Sequence, residues 1–174
     1  MKYYSGTGDS GKTDVYRRRV AKNDKRIKAI GDVDELNSFI GLAYSVAKDE
    51  GVKAVLKRLE RDLYVINVEL SGYSQALHDG KRPLGKADVD FLEEMLQRYS
   101  KEVPDLVKFI YPNGSVESAY LNVCRAVARR AERSVIDANV TDAVIKTYIN
   151  RLSSLLFVLF RYTNKISGKR EEMF

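Results

Sequence analysis

Apolar residues recur at intervals of three and four along most of this chain, which is the spacing of one face of an α-helix. The pattern predicts five helices, at about residues 32–51, 52–75, 86–101, 115–138 and 141–164. Several of them reach roughly twenty residues and the connections are short, so we predict an all-α, antiparallel five-helix bundle. No run of residues alternates with a period of two well enough to predict a sheet.

Polar residues at the helix boundaries support these limits. Asp32 followed by Glu35 is a variant of the capping box, so we predict that the first helix begins there. Ser115 and Thr141 are predicted N-caps of the fourth and fifth helices. Asn139 is predicted to stop the fourth helix, because asparagine tolerates the left-handed backbone that ends many helices.

The 174 residues are predicted to form a single domain. Residues 1–30 are polar, basic and rich in glycine, and they show no sustained helical period. We interpret them as an ordered or ligand-ordered loop that precedes a helical bundle at residues 31–165. A composition that is 44% hydrophobic is sufficient for a buried core in one domain of this size.

The net charge of +6 and the pI of about 9.3 indicate an anionic partner. Nucleotide phosphates, nucleic acid and an anionic membrane surface all fit this charge. The longest apolar run, residues 155–160, is far too short to span a bilayer, and the first residues lack a signal-peptide hydrophobic region. We therefore expect a cytoplasmic protein with no membrane partner.

Cysteine and histidine are both nearly absent, which excludes several classes of site. With Cys124 as the only cysteine, no internal disulfide can form, and we expect this thiol to be inert packing. With His78 as the only histidine, a histidine-rich metal site is nearly excluded. His78 follows no helical period and is interpreted as a surface loop residue.

The N-terminal segment contains a phosphate-binding motif. Residues Gly6 to Thr13 match the pattern G-x-x-x-x-G-K-[ST], in which glycines let backbone N–H groups converge on an anion and the lysine adds charge. A P-loop NTPase requires a buried strand before this motif, and too few residues precede it here. We keep the phosphate interpretation without that fold; the alternative is a flexible polar tail with no ligand.

An arginine face is predicted on the fourth helix. Arg125, Arg129, Glu132 and Arg133 fall within an arc of about 100° at the helical period, and Arg130 lies further round. Such a cluster repels itself unless an anion or an acidic partner joins it. The alternative is a solvated face with internal Arg–Glu pairs. The polar residues Asn150-Arg151-Leu152-Ser153, on an otherwise apolar helix, favour a site.

Four segments together resemble the PduO-type ATP:cob(I)alamin adenosyltransferases in order and spacing. They are Thr7-Gly8-Asp9 with Gly11 and Thr13; Gly31 with Val33-Asp34-Glu35-Leu36-Asn37-Ser38; Arg125 with Arg129-Arg130-Ala131-Glu132-Arg133; and Asn150-Arg151-Leu152-Ser153 with Leu155-Leu156-Phe157. The arginine-rich helix and the Asn-Arg-Leu-Ser segment are specific in combination. The chain departs from the family pattern at Gly6, Asn122, Ser154 and the run Tyr111-Pro112-Asn113-Gly114.

The resemblance implies a five-helix bundle assembled as a homotrimer, with active sites between neighbouring subunits. It implies transfer of the 5′-deoxyadenosyl group of ATP to the cobalt of cob(I)alamin, with release of tripolyphosphate and with Mg²⁺ accompanying ATP. No metal ligand in the chain is assigned. A cobalamin reductase or an adenosylcobalamin-dependent enzyme is a candidate further partner.

The resemblance also implies roles for single residues. The residues implied to bind ATP are Ser5, Gly6, Thr7, Gly8, Asp9, Thr13, Lys22, Arg129, Arg130, Glu132, Arg133 and Asn150. The implied catalytic set is Arg129, Glu132, Arg125 and Asp34. In it, Arg125 meets the carboxylate of Asp34 on a neighbouring subunit. Phe109 is implied to lie on the lower face of the corrin, where it excludes a lower axial ligand.

Two other classes of protein remain as alternatives at this point. A P-loop kinase or NTPase is suggested by residues 6–13 and requires a parallel sheet. A non-catalytic basic helical module that binds nucleic acid is suggested by the charge, although no RRM, KH or zinc pattern is present. The combined motifs favour the adenosyltransferase, and we expect no nucleic-acid partner.

Overall fold

A computed structural model describes residues 4–72 and 82–174. Its elements are β1 (Lys12–Val15), β2 (Arg18–Ala21), α1 (Lys25–Val46), α2 (Glu50–Leu70), α3 (Lys86–Ser100), α4 (Val116–Asp137) and α5 (Ala143–Ile166). The predicted helical bundle is therefore confirmed. His78 lies outside the described residues.

The helices pack in pairs around one apolar core. α4 packs against α5 and α1, α1 packs against α2, and α3 packs against α5. Since α1 and α2 are joined by three residues, and α4 and α5 by five, the members of each pair run antiparallel. The largest fully buried side chains come from all five helices: Leu36, Ile40, Leu56, Leu59, Leu63, Ile66, Leu70, Leu92, Leu121, Tyr148, Ile149 and Phe160.

The start of the first helix was predicted wrongly. α1 begins at Lys25 after the N-cap Asp24, whose side chain accepts a hydrogen bond from the Arg26 amide. Asp32 is inside the helix, where its carboxylate accepts hydrogen bonds from the side chains of Lys28 and Ser134. An aspartate that binds a neighbouring helix therefore resembled a helix cap in the sequence.

Other boundaries also differ from the prediction. α1 ends at Val46 rather than near residue 51, because Asp49 caps α2 by accepting a hydrogen bond from the Val52 amide at 2.8 Å. Asp142, and not Thr141, caps α5. The cap of α4 at Ser115 is confirmed, and Asn139 has the predicted left-handed backbone, with φ of 53°.

A β-hairpin in the N-terminal segment was not predicted. β1 and β2 pair antiparallel, with Lys12 opposite Ala21 and Val15 opposite Arg18. The two turn residues, Tyr16 and Arg17, have φ of 27° and 51°, a conformation that glycine or asparagine usually provides in such turns. The sequence carries no Asn-Gly or Asp-Gly signal here, and the expectation of a loop without strands is wrong.

The hairpin also bears on the P-loop alternative. In the described ranges, 4–72 and 82–174, the one sheet is this two-stranded antiparallel hairpin. A P-loop NTPase requires a parallel sheet with a buried strand before the phosphate loop. The helical fold does not favour that alternative.

α5 is the most apolar helix. By length and composition alone it could cross a membrane, but half of its most apolar window is buried inside the bundle. It also carries buried polar residues, among them Arg161 and Asn164. α5 is therefore a core helix of the bundle, packed against α4 and α3.

The turn before α4 depends on a glycine. Gly114 has φ of 138°, and a Cβ there would overlap the side chain of Asn164. Asn164 is buried, accepts a hydrogen bond from the Ser115 amide at 3.0 Å and donates one to the Asn113 carbonyl at 3.0 Å. Asn164 cannot move away without losing both bonds, so the position requires glycine.

We expect Gly114→Ala to lower the free energy of unfolding by more than about 2 kcal/mol, since strain and two lost hydrogen bonds add. Gly31→Ala is the matched control, because Gly31 is helical and its Cβ would meet open space. That substitution should stabilise the protein by roughly 0.5–1 kcal/mol. Urea denaturation of both variants measures the difference, and effects of the same sign would contradict it.

Candidate functional site

The arginines of α4 divide into two groups. Arg130 points toward α1, where it forms an ion pair with Glu35 and lies 3.9 Å from the Asp32 carboxylate. Arg129 and Arg133 are exposed, and no hydrogen bond or ion pair joins either of them to another of the described residues. The interpretation of internal Arg–Glu pairs therefore holds for Arg130, while Arg129 and Arg133 remain available to an external anion.

Asp32 organises the contact between α1 and α4. Burial opposes its ionisation, but the hydrogen bonds from Lys28 and Ser134 and the charge of Arg130 outweigh burial and hold the pKa of its carboxyl below the ordinary value. Lys28 Nζ donates to Asp32 at 2.6 Å and to Ser134 Oγ at 2.7 Å. This polar cluster fixes Arg130 and the turn of α4 that carries Arg133.

A chain of hydrogen bonds joins Glu132 to α5 and α3. Asn150 Nδ2 donates to Glu132 Oε1 at 2.8 Å, and Arg151 Nη1 donates to Asn150 Oδ1 at 2.9 Å. Arg151 Nε in turn donates to Glu93 Oε1 at 3.0 Å. The fold therefore brings together Glu132 and Asn150, which the sequence placed at one site. They line a groove of about 270 Å³.

A second, more apolar groove lies between α4, α5 and the segment before α4. Its volume is about 490 Å³. It is lined by Leu96, Leu106, Phe109, Ile110, Pro112, Asn122, Arg125, Arg129, Ser153, Ser154, Phe157, Val158 and Phe160. Apolar walls with a few polar groups are typical of a small-molecule site. Arg129 belongs both to this groove and to the arginine face.

Phe109 is the most exposed large apolar side chain of the groove, with 85% of its surface accessible. It stands at the rim, in the segment that connects α3 to α4. An exposed aromatic ring beside an apolar groove is available to cover a flat ligand. Its contact with a corrin ring stays a prediction.

Arg125 forms part of the groove wall. Its Nε donates to Asn122 Oδ1 at 2.9 Å, and its guanidinium lies 5.9 Å from the centre of the Phe157 ring. Burial and the nearby charge of Arg129 lower the pKa of Arg125. Asp34 is exposed on α1, and no contact joins it to Arg125 within one protomer. Their predicted pairing between subunits stays a prediction.

The N-terminal loop has the shape expected of a phosphate cradle. Gly6 and Gly11 adopt φ of 73° and 76°, and tight turns close at both, from the Asp9 amide to the Gly6 carbonyl and from the Gly11 amide to the Gly8 carbonyl. A Cβ on Gly8 would lie 3.2 Å from Lys22 Nζ, so the Lys22 ammonium stands against the loop. Backbone turns and a cation thus occur together.

The loop and the arginine face do not touch within one protomer. Among the described residues, no hydrogen bond or ion pair joins residues 5–13 to the arginines of α4. The start of α1 and the end of α4 do meet, since Lys25 pairs with Asp137 at 3.2 Å. Between these ends is a basic groove of about 660 Å³ that includes Lys28, Arg130 and Arg133.

Cys124 is fully buried in the core, and burial raises the pKa of its thiol to about 12. The prediction of inert packing is therefore confirmed. Within residues 4–72 and 82–174, no group of three or more histidine, cysteine, aspartate or glutamate side chains could hold a metal ion.

Several residues near the site were missed by the sequence reasoning. Arg19 donates to the Thr7 carbonyl and forms an ion pair with Asp14 at 3.0 Å, which ties the hairpin to the loop. Arg161 and Asn164 support the segment that carries Phe109. The signal for the last two was present: charged or amide residues on the most apolar helix, three residues apart, require buried partners.

Known proteins provide an independent comparison. A family profile described as Cobalamin adenosyltransferase matches residues 3–163. The chain is 41% identical over 169 residues to a cobalamin adenosyltransferase from Cupriavidus metallidurans, covering 93% of this chain and 88% of that protein. It is 36% identical over 175 residues to a corrinoid adenosyltransferase from Bacillus subtilis, covering 97% of this chain and 89% of that protein.

Solved structures agree with the sequence comparison. A variant PduO-type ATP:corrinoid adenosyltransferase from Lactobacillus reuteri, complexed with cobalamin and ATP, superposes with a TM-score of 0.88 at 28% identity. The superposition covers 99% of this chain and 96% of that chain. A second variant from the same organism, complexed with ATP, has a TM-score of 0.86 and covers 98% of this chain and 99% of that chain.

The Asp32 cluster predicts a pH-dependent stability. Because the folded pKa of Asp32 is lowered, its contribution is complete above the ordinary value of 3.8 and is lost as the pH falls through the folded value. We expect Asp32→Asn to lower the free energy of unfolding by roughly 1–3 kcal/mol at about pH 7. At about pH 3 the difference from wild type should be smaller.

Urea denaturation at both pH values measures this effect. Asp137→Asn is the control, because Asp137 forms only an exposed ion pair with Lys25, and it should change little at either pH. A difference between wild type and Asp32→Asn that stays constant with pH would show that the carboxylate charge is not what stabilises the contact.

Proposed function

The chain belongs to the cobalamin adenosyltransferase family, and from this premise we propose that it transfers the 5′-deoxyadenosyl group of ATP to the cobalt of cob(I)alamin. One observation carries the proposal: Arg125 and Arg129 line an apolar groove and also belong to the arginine face of α4. A flat apolar macrocycle and a polyphosphate can therefore bind side by side. The basic nucleic-acid module is not favoured, since the family match covers residues 3–163.

The transfer is a nucleophilic substitution at carbon. The electron pair of Co(I) attacks C5′ of ATP, the cobalt–carbon bond forms, and the bond from C5′ to the phosphate oxygen breaks. The electron pair of that bond leaves with tripolyphosphate. Because reduced cobalt is itself the nucleophile, the protein needs no histidine base. Its contribution is to align the two substrates, which can supply roughly 7–11 kcal/mol, and to neutralise the leaving group.

The leaving tripolyphosphate is the natural ligand of the free arginines. Arg129 and Arg133 carry charges that no side chain of the described protomer neutralises, and charge-assisted hydrogen bonds to phosphate are among the strong polar contacts of proteins. Glu132 and Asn150, already bonded to each other, are placed to orient the nucleoside. Arg130 contributes charge while it stays paired with Glu35.

The N-terminal loop supplies the other side of the phosphate site. Its contributing residues are Ser5, Gly6, Thr7, Gly8, Asp9, Thr13 and Lys22. Turns close at Gly6 and Gly11, and the Lys22 ammonium lies against Gly8. Mg²⁺ is proposed to arrive bound to the phosphates of ATP.

A trimer would explain how the N-terminal loop and the arginine face can form one site. Within one protomer the two regions share no direct contact, and a neighbouring subunit can bring its own loop to the arginine face. Arg125 is partly buried and Asp34 is exposed, so an ion pair between subunits gives each a partner. We place this assembly in the cytoplasm, where a reduced Cys124 is expected and a cobalamin reductase could deliver the substrate.

Purified protein should convert ATP and reduced cobalamin to adenosylcobalamin, which is followed by the absorption spectrum. We expect Arg129→Ala to lower kcat/KM at least about tenfold, because a charge-assisted bond to the leaving group is lost. Its stability should change by less than about 0.5 kcal/mol, since Arg129 is exposed and unpaired in the described protomer.

Arg98→Ala is the matched control. Arg98 is an exposed arginine on α3 that does not line the groove, so its loss should leave turnover unchanged. If wild type makes no adenosylcobalamin under strictly reducing conditions, the proposed reaction is wrong. If Arg129→Ala loses stability and activity in equal measure, this arginine is structural.

The intersubunit pair predicts a charge-swap rescue. Arg125→Asp and Asp34→Arg should each weaken assembly through like-charge repulsion, and the double variant should restore it. Analytical ultracentrifugation should give wild type a mass about three times the chain mass of 19.8 kDa. Assembly is the measured quantity because Arg125 also lines the groove.

A monomeric wild type would contradict the proposed trimer itself. A double variant that assembles no better than the single variants would instead place the partner of Arg125 elsewhere while leaving the trimer intact.

A further inference from the structure

The segment that carries Phe109 is paired with residues 169–174, here called the C-terminal segment. The Phe174 amide donates to the Phe109 carbonyl at 2.8 Å, and the Tyr111 amide donates to the Glu172 carbonyl at 2.9 Å. These bonds flank an antiparallel bridge between Ile110 and Met173. The backbone of Phe109 is therefore held directly by the C-terminal segment.

A buried arginine anchors both of these segments to α5. Arg161 is only 5% exposed. Its Nε and Nη2 donate to the two carboxylate oxygens of Glu171 at 2.7 and 2.9 Å, and Nη2 also donates to the Pro104 carbonyl at 2.9 Å. One guanidinium thus fixes the C-terminal segment and the beginning of the stretch that leads to Phe109.

The stretch from Pro104 to Phe109 has little else to fix its position. Leu106, Val107 and Phe109 are all exposed, so burial of apolar surface contributes little there. A buried Arg–carboxylate pair by itself is a poor source of net stability, because desolvation offsets the attraction. What the pair does provide is one defined arrangement of the backbone that it binds.

We propose that Arg161 and Glu171 are positioning residues that set the place of the Phe109 ring over the groove. This inference rests on the proposed function and deepens it. Phe109 excludes a lower axial ligand from cobalt only if its ring is held against the corrin. Glu171 is bonded to Arg161 and belongs to the C-terminal segment, whose backbone is hydrogen-bonded to that of Phe109.

The position of the Phe109 ring should affect one of the two steps of the reaction and not the other. Reduction of Co(II) to Co(I) adds one electron from an external reductant and is easier when cobalt has no lower ligand. Transfer from Co(I) to C5′ begins with cobalt that already lacks one. A defect in Phe109 placement should therefore slow the reaction started from Co(II), while the reaction started from Co(I) proceeds.

The test uses Glu171→Gln, which keeps the length of the side chain and removes the charge of the pair. With ATP and Co(II) cobalamin bound, we expect the four-coordinate fraction, measured by electron paramagnetic resonance, to fall at least about threefold. Adenosylation started from Co(II) with a chemical reductant should slow about tenfold. Adenosylation started from Co(I) reduced beforehand should stay within about twofold of wild type.

Glu102→Gln is the matched control. Glu102 forms an exposed ion pair with Lys165 at 3.3 Å, at the same end of α5 but away from the C-terminal segment, so all three measurements should equal those of wild type. Thermal unfolding of each variant shows whether the bundle is intact.

Three results would overturn the positioning role. The first is an unchanged four-coordinate fraction in Glu171→Gln, and the second is an equal loss of rate from Co(II) and from Co(I). The third is a Glu102→Gln variant that behaves like Glu171→Gln. A fourth result has a different meaning. If wild-type protein makes no adenosylcobalamin from either Co(II) or Co(I), the proposed function is wrong, and the positioning role is wrong with it.

Discussion

The structure depends on how α5 satisfies the polar groups that it buries. An apolar core helix cannot leave an arginine or an amide unpaired, because a buried polar group without a partner costs free energy comparable to a lost hydrogen bond. The buried Arg161 is bonded to Glu171 and Pro104, and the buried Asn164 to Asn113 and Ser115, while the exposed Asn150 is bonded to Glu132. Each of these bonds fixes a part of the candidate site. The polar residues of α5 thus link core packing to the geometry of both grooves.

Unlike the buried polar groups of α5, two of the arginines of α4 have no partner among the described residues. Arg130 is neutralised by acids of α1, while Arg129 and Arg133 are not neutralised by any of the described residues of the protomer. Like charges on one helix face repel, and burial together with the charge of Arg129 lowers the pKa of Arg125. If every arginine of α4 were paired with an acidic side chain, no unneutralised positive charge would remain to attract polyphosphate. The partial pairing orients the helix and leaves charge for the ligand.

Much of this could be predicted from the sequence because the relevant signals are local. Helical periodicity identified α3 and α4 to within about one residue of their ends, and the arginine face followed from the helical period. For α2 the predicted end near residue 75 was too late, because the helix ends at Leu70. The hairpin was missed because Tyr16 and Arg17 occupy its turn without the usual turn residues. The start of α1 was missed because Asp32 accepts a hydrogen bond from Ser134 on α4, more than a hundred residues away. A contact at that separation leaves no signal in the local sequence pattern.

For the candidate site, too, the sequence motifs suggested which residues belong to it, but contacts between residues far apart in the sequence could not be predicted. The family resemblance implied that Glu132 and Asn150 both contact the nucleotide; the structure joins their side chains by a hydrogen bond, and their contact with ATP stays a prediction. The sequence motifs could not predict that Arg161 and Glu171 support Phe109, since that arrangement depends on where the C-terminal segment returns to the bundle. The hydrogen bonds to the C-terminal segment have a physical reason. A ring that covers a ligand has to be exposed, and burial cannot fix the position of an exposed ring. Its position therefore has to come from backbone hydrogen bonds, and these in turn need a buried anchor.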